Sequence, residues 1–190
     1  MLTCHDVANY FLVLVDREAG DLITQLKLQK LIYFAQGVNL ALLEEPLFEE
    51  PIEAWEHGPV VRELRKSFGQ FRSDVIPIPG EIEFDIYSTQ QKELIYKVYK
   101  KYGEHTAAYL RNVTHEHPTW IDAFKSQNKI IEQDKIKDFF KTFIDGKFLI
   151  MSEKDKQRII SAEDEWWMGY DTGIPSEDIS KSLKENYLEF

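Results

Sequence analysis

The sequence predicts a mainly α (α+β) fold: a single helical domain of about six to seven helices with a small antiparallel β element, plus a C-terminal extension. Apolar residues recur with a helical period in several segments. One of these segments is apolar nearly all round, which is typical of a central helix. Alternation typical of strands occurs only in the 50s and 80s. With 190 residues, 43% of them hydrophobic, the chain can build a real core.

The first two helices are predicted from their capping residues and their apolar spacing. Thr3 and Asp6 resemble a capping box ahead of a one-sided apolar helix that reaches Gly20. Thr24 can cap the second helix, residues 25–43, LKLQKLIYFAQGVNLALL from Leu26 onward. Because apolar residues surround this second segment, we expect it to be the central helix.

Polar residues and one glycine interrupt the central helix. Gly37 costs helix stability unless a neighbour packs closely against it. Lys27 and Lys30 are expected to extend their ammonium groups to solvent. Gln29 and Gln36 are seven residues apart and share a face, so buried amides here would belong to a hydrogen-bonded network.

The β element is predicted around IEAWE (52–56) and IEFDIY (82–87), which we expect to pair as antiparallel strands. Between them, Gly58 can serve as an N-cap and Pro59 fits the first position of a helix. Further helices are predicted to start near Ser88, Thr106, Pro118 and Ile136. We expect a helical domain over residues 1–150 and an acidic, aromatic-containing extension over residues 151–190.

Composition excludes several classes of function. Acidic residues outnumber basic ones 33 to 23, and the net charge of −10 argues against direct nucleic-acid binding and suits a basic protein partner. Cys4 is the single cysteine, which excludes an internal disulfide and multi-cysteine zinc motifs, and we expect it to be structural. No apolar stretch is long enough for a membrane span and FLVLV (11–15) lacks a basic flank, so we expect a cytoplasmic protein.

The histidines are the residues that could carry chemistry. His115 and His117, near His105, could chelate a metal only on a strand, and a helix end followed by a turn is the favoured interpretation. His57 could be a general base, but a turn histidine that buttresses the following helix is favoured. Phosphate-loop, dinucleotide and nucleophile-elbow motifs are missing, so no catalytic residue, cofactor or metal is predicted.

The extension contains EDEWWMGYDTGIP within a stretch of ten acidic and five basic residues. Tryptophan, tyrosine and methionine are enriched where protein interfaces carry their binding energy. We therefore predict partner-binding anchors in this segment: Trp166, Trp167, Met168 and Tyr170. The alternative is that one tryptophan packs back on the domain while the other stays half exposed.

Three motifs occur in order along the chain: KLQKLIYFAQG in the central helix, EAWEHGPV, and THEHPTW. Together they make the chain resemble the Panacea domain family of phage-associated antitoxins, over about residues 3–145. The residues that carry it, which we expect to be structural, are Leu28, Gln29, Lys30, Tyr33, Trp55, His57, Gly58, Pro59, Val60, Thr114, His115, Pro118 and Trp120.

The resemblance implies an antitoxin of a bacterial or prophage toxin–antitoxin pair, which neutralises its cognate toxin by direct protein contact. The toxin is then expected from an adjacent gene, and no enzymatic activity is expected. A related member implies an alternative, an adaptor that delivers the toxin to a cellular ATP-dependent protease. The third hypothesis is an enzyme of unknown chemistry that uses His57 or His115.

Overall fold

The computed structural model describes residues 1–16 and 20–171, with backbone alone for 167–171. The described part is mainly helical, as predicted, with eight α-helices and a two-stranded antiparallel sheet. The elements are α1 (Cys4–Val13), α2 (Gln25–Leu43), β1 (Ile52–Trp55), β2 (Gly58–Val61), α3 (Arg62–Phe68), α4 (Thr89–Tyr102), α5 (Ala107–His115), α6 (Pro118–Lys125), α7 (Gln133–Lys141) and α8 (Glu153–Asp171). Short 3-10 turns lie at Gly69–Phe71, Phe84–Ile86 and Gly146–Leu149.

Helix α2 is the central helix, as its all-round apolar pattern predicted. Helices α1, α3, α4, α5 and α7 and strand β2 all contact it, and every residue from 27 to 41 is buried. Thr24 caps it by accepting a hydrogen bond from the Lys27 backbone N–H. The expectation that Lys27 and Lys30 reach solvent was wrong, because they are only 8% and 0% exposed. Neighbours enclose α2 on all sides and leave no path outward for either side chain.

The first helix is shorter than the sequence predicted. Thr3 and Asp6 form the predicted capping box, with the Thr3 hydroxyl accepting from the Asp6 N–H and the Asp6 carboxylate accepting from the Thr3 N–H. The helix then ends at Val13 rather than near Gly20. Leu14 and Val15 are nevertheless buried, so apolar residues beyond the helix end still belong to the core.

The strand pairing differs from the predicted one. Strand β1 pairs with β2 in a hairpin whose register runs from Ile52 opposite Val61 to Trp55 opposite Gly58. The predicted partner, residues 82–87, instead contains the 3-10 turn Phe84–Ile86. Residues 129–131 run along the other edge of β1, where Ala54 N–H donates to the Lys129 carbonyl at 2.7 Å. The local hairpin needs only a two-residue turn, which costs less chain entropy than pairing across thirty residues.

Gly58 and Pro59 were expected to start a helix, and that expectation was also wrong. Both lie in β2, and α3 starts only at Arg62, after an extended Val61. Pro59 is tolerated in this strand because it faces Ala54, whose N–H donates to Lys129. The backbone groups of Ala54 therefore point to the other edge of β1 and offer no acceptor to position 59. The missing proline N–H therefore leaves no ladder hydrogen bond broken.

Helix α8 packs back on α1 and α4. Its Glu163 carboxylate accepts a 2.7 Å hydrogen bond from the buried Tyr10 hydroxyl and pairs with Lys92. Trp166 is 8% exposed, its indole N–H donates to the Pro79 carbonyl at 2.9 Å, and its ring meets Phe84 edge-on. Residues 153–166 thus contribute to the same core as the preceding helices.

Gly37→Ala is expected to destabilise the protein even though alanine favours a helix by ~1 kcal/mol. A Cβ at position 37 would lie 2.4 Å from ring carbons of Phe140, which is fully buried and cannot move aside. Overpacking of this kind costs about 1–3 kcal/mol, so the clash outweighs the helix gain. Urea denaturation should show a net loss of unfolding free energy.

Gly146→Ala is the matched control, because no atom lies within 4 Å of a Cβ at that position. We expect its unfolding free energy to stay within about 0.5 kcal/mol of the parent. A stabilised Gly37→Ala protein would show that the α2–α7 contact is looser than described.

Candidate partner-binding site

The three sequence motifs meet at the β1–β2 hairpin. The first motif lies on α2 beneath the hairpin, the second forms the hairpin itself, and the third forms the end of α5 and the start of α6. Leu28, Tyr33, Val60 and Thr114 are buried, and Pro118 occupies the first turn of α6. The motif residues therefore form one contiguous structure rather than separate sites.

The polar side chains of α2 bind backbone groups of the segments that follow it. Gln29 accepts from the Val61 N–H at 2.8 Å and donates to the Val61 carbonyl at 3.1 Å, as a neighbouring strand would do. Gln36 makes the same pair of bonds to Leu47 N–H and Phe48 carbonyl. These buried amides are satisfied, and they fix the hairpin and its approach to α2.

Lys30 is the buried cation of this network. Its Nζ donates a 2.7 Å hydrogen bond to the Pro59 carbonyl. Burial, together with the nearby positive charge of Arg111, lowers the pKa of Lys30 to about 7. A buried lysine that binds a strand carbonyl holds β2 against α2, and its charge is marginal at neutral pH.

Gly58 is required where the hairpin turn meets Lys30. Its φ of +96° lies in the region that favours glycine. A Cβ there would lie 2.8 Å from Thr114 Oγ1 and 2.9 Å from Lys30 Nζ. Both the backbone angle and the lack of a side chain allow α2 and α5 to contact the turn.

The two histidines of HEH point in different directions. His117 is buried and its Nδ1 lies 3.0 Å from the Tyr33 hydroxyl, which also contacts Thr119. Burial lowers the pKa of His117 to about 4, so it is neutral at physiological pH. His115 instead stacks on Trp120, with ring centroids 4.1 Å apart. Within residues 1–16 and 20–171, no group of three potential ligand side chains could hold a metal ion.

A column of stacked side chains runs along the hairpin. Trp120 stacks on His115 and on Phe124, and Lys129 lies 4.2 Å from the Phe124 ring centroid. The Trp120 indole N–H donates to the Trp55 carbonyl at 3.0 Å, which ties the column to β1. Trp120, Phe124 and His115 are half-buried. The hairpin face is defined here as Glu56, His57, His115, Trp120, Phe124 and Lys129.

The hairpin turn is exposed but held at its base. Glu56 and His57 form the turn and both are exposed. Below them Arg62 makes two 2.9 Å hydrogen bonds to the Glu53 carboxylate, which also accepts from the Trp55 indole. The Arg62 hydrogen bond lowers the pKa of Glu53 and keeps it charged. His57 lies in the turn, whereas α3 begins five residues later, at Arg62, and has no side-chain cap.

The predicted C-terminal anchors fall in two classes. Trp166 is buried against Phe84 and Pro79. Trp167, Met168 and Tyr170 have side chains outside the described residues. Sequence reasoning missed Phe124 and Lys129 on the hairpin face. The i, i+4 spacing of Trp120 and Phe124 on α6 was the signal that could have found Phe124.

Comparison with known protein families gives one match, over the part of the chain just described. Residues 28–121 match the family model for the antitoxin SocA-like Panacea domain. The chain therefore carries a Panacea domain over residues 28–121. The matched range contains α2, the hairpin and the turn between α5 and α6. Neither curated proteins nor solved structures gave a match.

Most of the Panacea motif residues described above have structural roles. Gln29, Lys30 and Gly58 fix the hairpin, whereas His57, His115 and Trp120 lie at the surface that it presents. None of the helices in the described part of the chain is both long and apolar enough to cross a membrane.

Gly58→Ala is expected to destabilise the Panacea domain by more than Gly20→Ala. Both glycines have positive φ, so both substitutions carry backbone strain of about 1–2 kcal/mol. Only Gly58 also meets buried atoms, since Gly20 has none within 4 Å of its Cβ position. Chemical denaturation of the two variants measures the difference, which isolates the packing of the turn. Equal losses would mean that Lys30 and Thr114 adjust without cost.

Lys30→Met is expected to flatten the pH dependence of stability between pH 7 and 9. The folded protein holds the pKa of Lys30 near 7, whereas an unfolded chain has it at about 10.4. The unfolded chain therefore binds more protons in this window, and unfolding free energy rises with pH, by at most ~1.4 kcal/mol per unit. Urea denaturation at several pH values measures the slope. Lys135→Met removes an exposed lysine and should leave the slope unchanged.

Proposed function

We propose that this Panacea domain is an antitoxin that binds its cognate toxin directly through the hairpin face. The observation that carries the proposal is the convergence of all three motifs on one rigid hairpin with a partly exposed aromatic column beside it. Buried amides and Lys30 fix the hairpin backbone before any partner arrives. A preorganised surface loses little conformational entropy on binding.

The composition of the hairpin face supports a protein partner. Tryptophan is enriched among residues that dominate binding energy, and half-buried aromatic side chains offer apolar area with little rotamer freedom left to lose. The whole chain carries a net charge of −10, which favours encounter with a basic partner. We infer that the partner is a toxin from an adjacent gene and that the pair acts in the cytoplasm.

The mechanism we propose is stoichiometric occlusion of the toxin rather than catalysis. The surroundings of His115, one of the two candidate catalytic histidines, support it, because its ring is stacked on Trp120. A standard interface needs ~800 Å² on each partner. The hairpin face can supply the centre of such an interface, with neighbouring surfaces of α3 and α6 at its rim.

Charge reversal on the hairpin face is expected to abolish neutralisation without unfolding the domain. His57 is exposed and Lys129 packs over Phe124 at the edge of the face, so His57→Glu with Lys129→Glu changes its surface charge and leaves the buried network intact. Losing central contacts costs 2 kcal/mol or more, so toxin affinity should fall roughly 30-fold. Co-expression with the adjacent gene product, scored by growth and then pull-down and size exclusion, is the assay.

Two controls separate the interface from its alternatives. Lys135→Glu makes a comparable charge change at an exposed position of α7 and should neutralise normally. Trp167→Ala with Tyr170→Ala tests the predicted C-terminal anchors, and loss of neutralisation by this pair alone would move the interface there. Blotting the toxin completes the design, because a toxin that vanishes rather than co-purifies indicates the proteolytic adaptor. A harmless neighbour that never co-purifies contradicts the antitoxin proposal.

A further inference from the structure

Four basic side chains lie together where α5 meets the hairpin: Lys30, His57, Arg111 and His115. Arg111 and His115 are one turn apart on α5, so their side chains project from the same side of the helix. The His115 ring lies close enough to the Glu56 backbone of the turn, and to Arg111, Lys30 and His57, for all four to influence its pKa. Lys30 approaches the same turn from below, through the Pro59 carbonyl.

Two nitrogen atoms of this basic cluster are buried without a hydrogen-bond partner among the described residues. They are Arg111 Nε and His115 Nε2. Arg111 Nη1 donates a 3.2 Å hydrogen bond to the Asn112 side-chain oxygen, whereas Arg111 Nε has no acceptor among the described residues. Arg111 Nε is a donor and His115 Nε2 is a donor when the ring is charged. Buried polar atoms without partners cost stability unless something satisfies them, so each calls for a physical explanation.

Within the described residues, the basic cluster also has no ion-pair partner. Among the ion pairs of the described residues, none includes Lys30, His57, Arg111 or His115. Burial and the three neighbouring charges lower the pKa of His115, and no carboxylate offsets them. The chain has 33 acidic residues, yet none of the described ones forms an ion pair with this cluster. An anion bound here would pair with the Arg111 charge and would favour the charged forms of Lys30 and His115.

We propose that Arg111, His115 and His57 bind an oxyanion, and that this oxyanion is a carboxylate of the bound toxin. The planar guanidinium suits a carboxylate, because its donors match the two oxygen atoms. Lys30 is fully buried and acts through its charge rather than by contact. The basic cluster adjoins the hairpin face through His115, so the carboxylate enters beside the stacked column.

A carboxylate fits the site better than a nucleotide phosphate does. The chain carries a net charge of −10, which repels a multiply charged phosphate more strongly than a single carboxylate. The aromatic column next to the basic cluster is also a protein-interface feature. The oxyanion site follows from the cluster alone, whereas its assignment to the toxin rests on the proposed function.

The oxyanion site is tested first without any toxin. The probes are sodium acetate and inorganic phosphate, each titrated at low ionic strength and pH 6.5 into the full chain while NMR records the assigned histidine ring resonances. We expect saturable shifts of the His57 and His115 signals and none at His117, which is buried beside Tyr33. Histidine signals that move together and without saturation would overturn the site.

Two arginine variants make the titration specific. Arg111→Gln should reduce apparent anion affinity roughly 10-fold or more, since it removes the fork while keeping an amide. Arg65→Gln makes the same charge change on exposed Arg65 of α3 and should titrate like the parent. If Arg111→Gln does not fold, His57→Gln at the exposed turn replaces it. Equal loss in both arginine variants indicates bulk charge and overturns the proposal.

The second arm uses the toxin. In calorimetry, Arg111→Gln should weaken toxin binding roughly 10-fold, whereas Arg65→Gln should weaken it less than about 3-fold. Added acetate should compete with the toxin for the parent protein but not for the Arg111→Gln variant. If the parent protein binds the anion but Arg111→Gln binds the toxin as tightly as the parent does, the ligand is a small free anion and not a carboxylate of the toxin. A protein with no toxin partner at all fails the proposed function, but the saturable histidine shifts remain to decide the oxyanion site.

Discussion

The buried contact of α2 with the hairpin is the constraint on which the rest of this structure depends. Lys30 and Gln29 project from a fully enclosed helix and bind the Pro59 and Val61 backbone, so the strand is attached to the core by polar bonds that water cannot replace. Buried polar groups are costly when unpaired and specific when paired. One register of the hairpin satisfies them, and a slip of one residue would leave both unsatisfied.

Rigidity at the hairpin has consequences for recognition. The turn at Glu56 and His57 is exposed, while the residues on both sides of it are fixed by α2 and by Arg62 paired with Glu53. The stacked column from His115 to Lys129 then lies at a defined distance from the turn, through the bond between Trp120 and the Trp55 carbonyl. On the proposed function, the toxin meets an already shaped surface, so complementarity rather than folding on contact sets the affinity.

Helix α8 belongs to the same core although its sequence looks like an appendage. Ten acidic residues over 151–190 suggest a solvated segment, yet two of the described ones bind side chains of α1 and α4: Glu163 binds Tyr10 and Lys92, and Asp155 binds Lys100. Lysines on α4 supply the opposite charges, and Trp166 fills the space beside Phe84. Partly buried ion pairs and one tryptophan therefore join this helix to α1 and α4.

The sequence by itself determined the helical class, the central helix over 25–43, the Thr3 and Thr24 caps, and the family, because periodicity and capping are local properties. Tertiary structure decided the rest. The Lys30 side chain points inward because neighbouring elements enclose α2 on every side. Strand β1, which starts at Ile52, pairs with the nearby segment 58–61 rather than with residues 82–87. Which histidine faces the core and which faces the hairpin depends on contacts between α2, α5 and α6. Those contacts join residues 84 positions apart, such as Tyr33 and His117, and no local pattern encodes them.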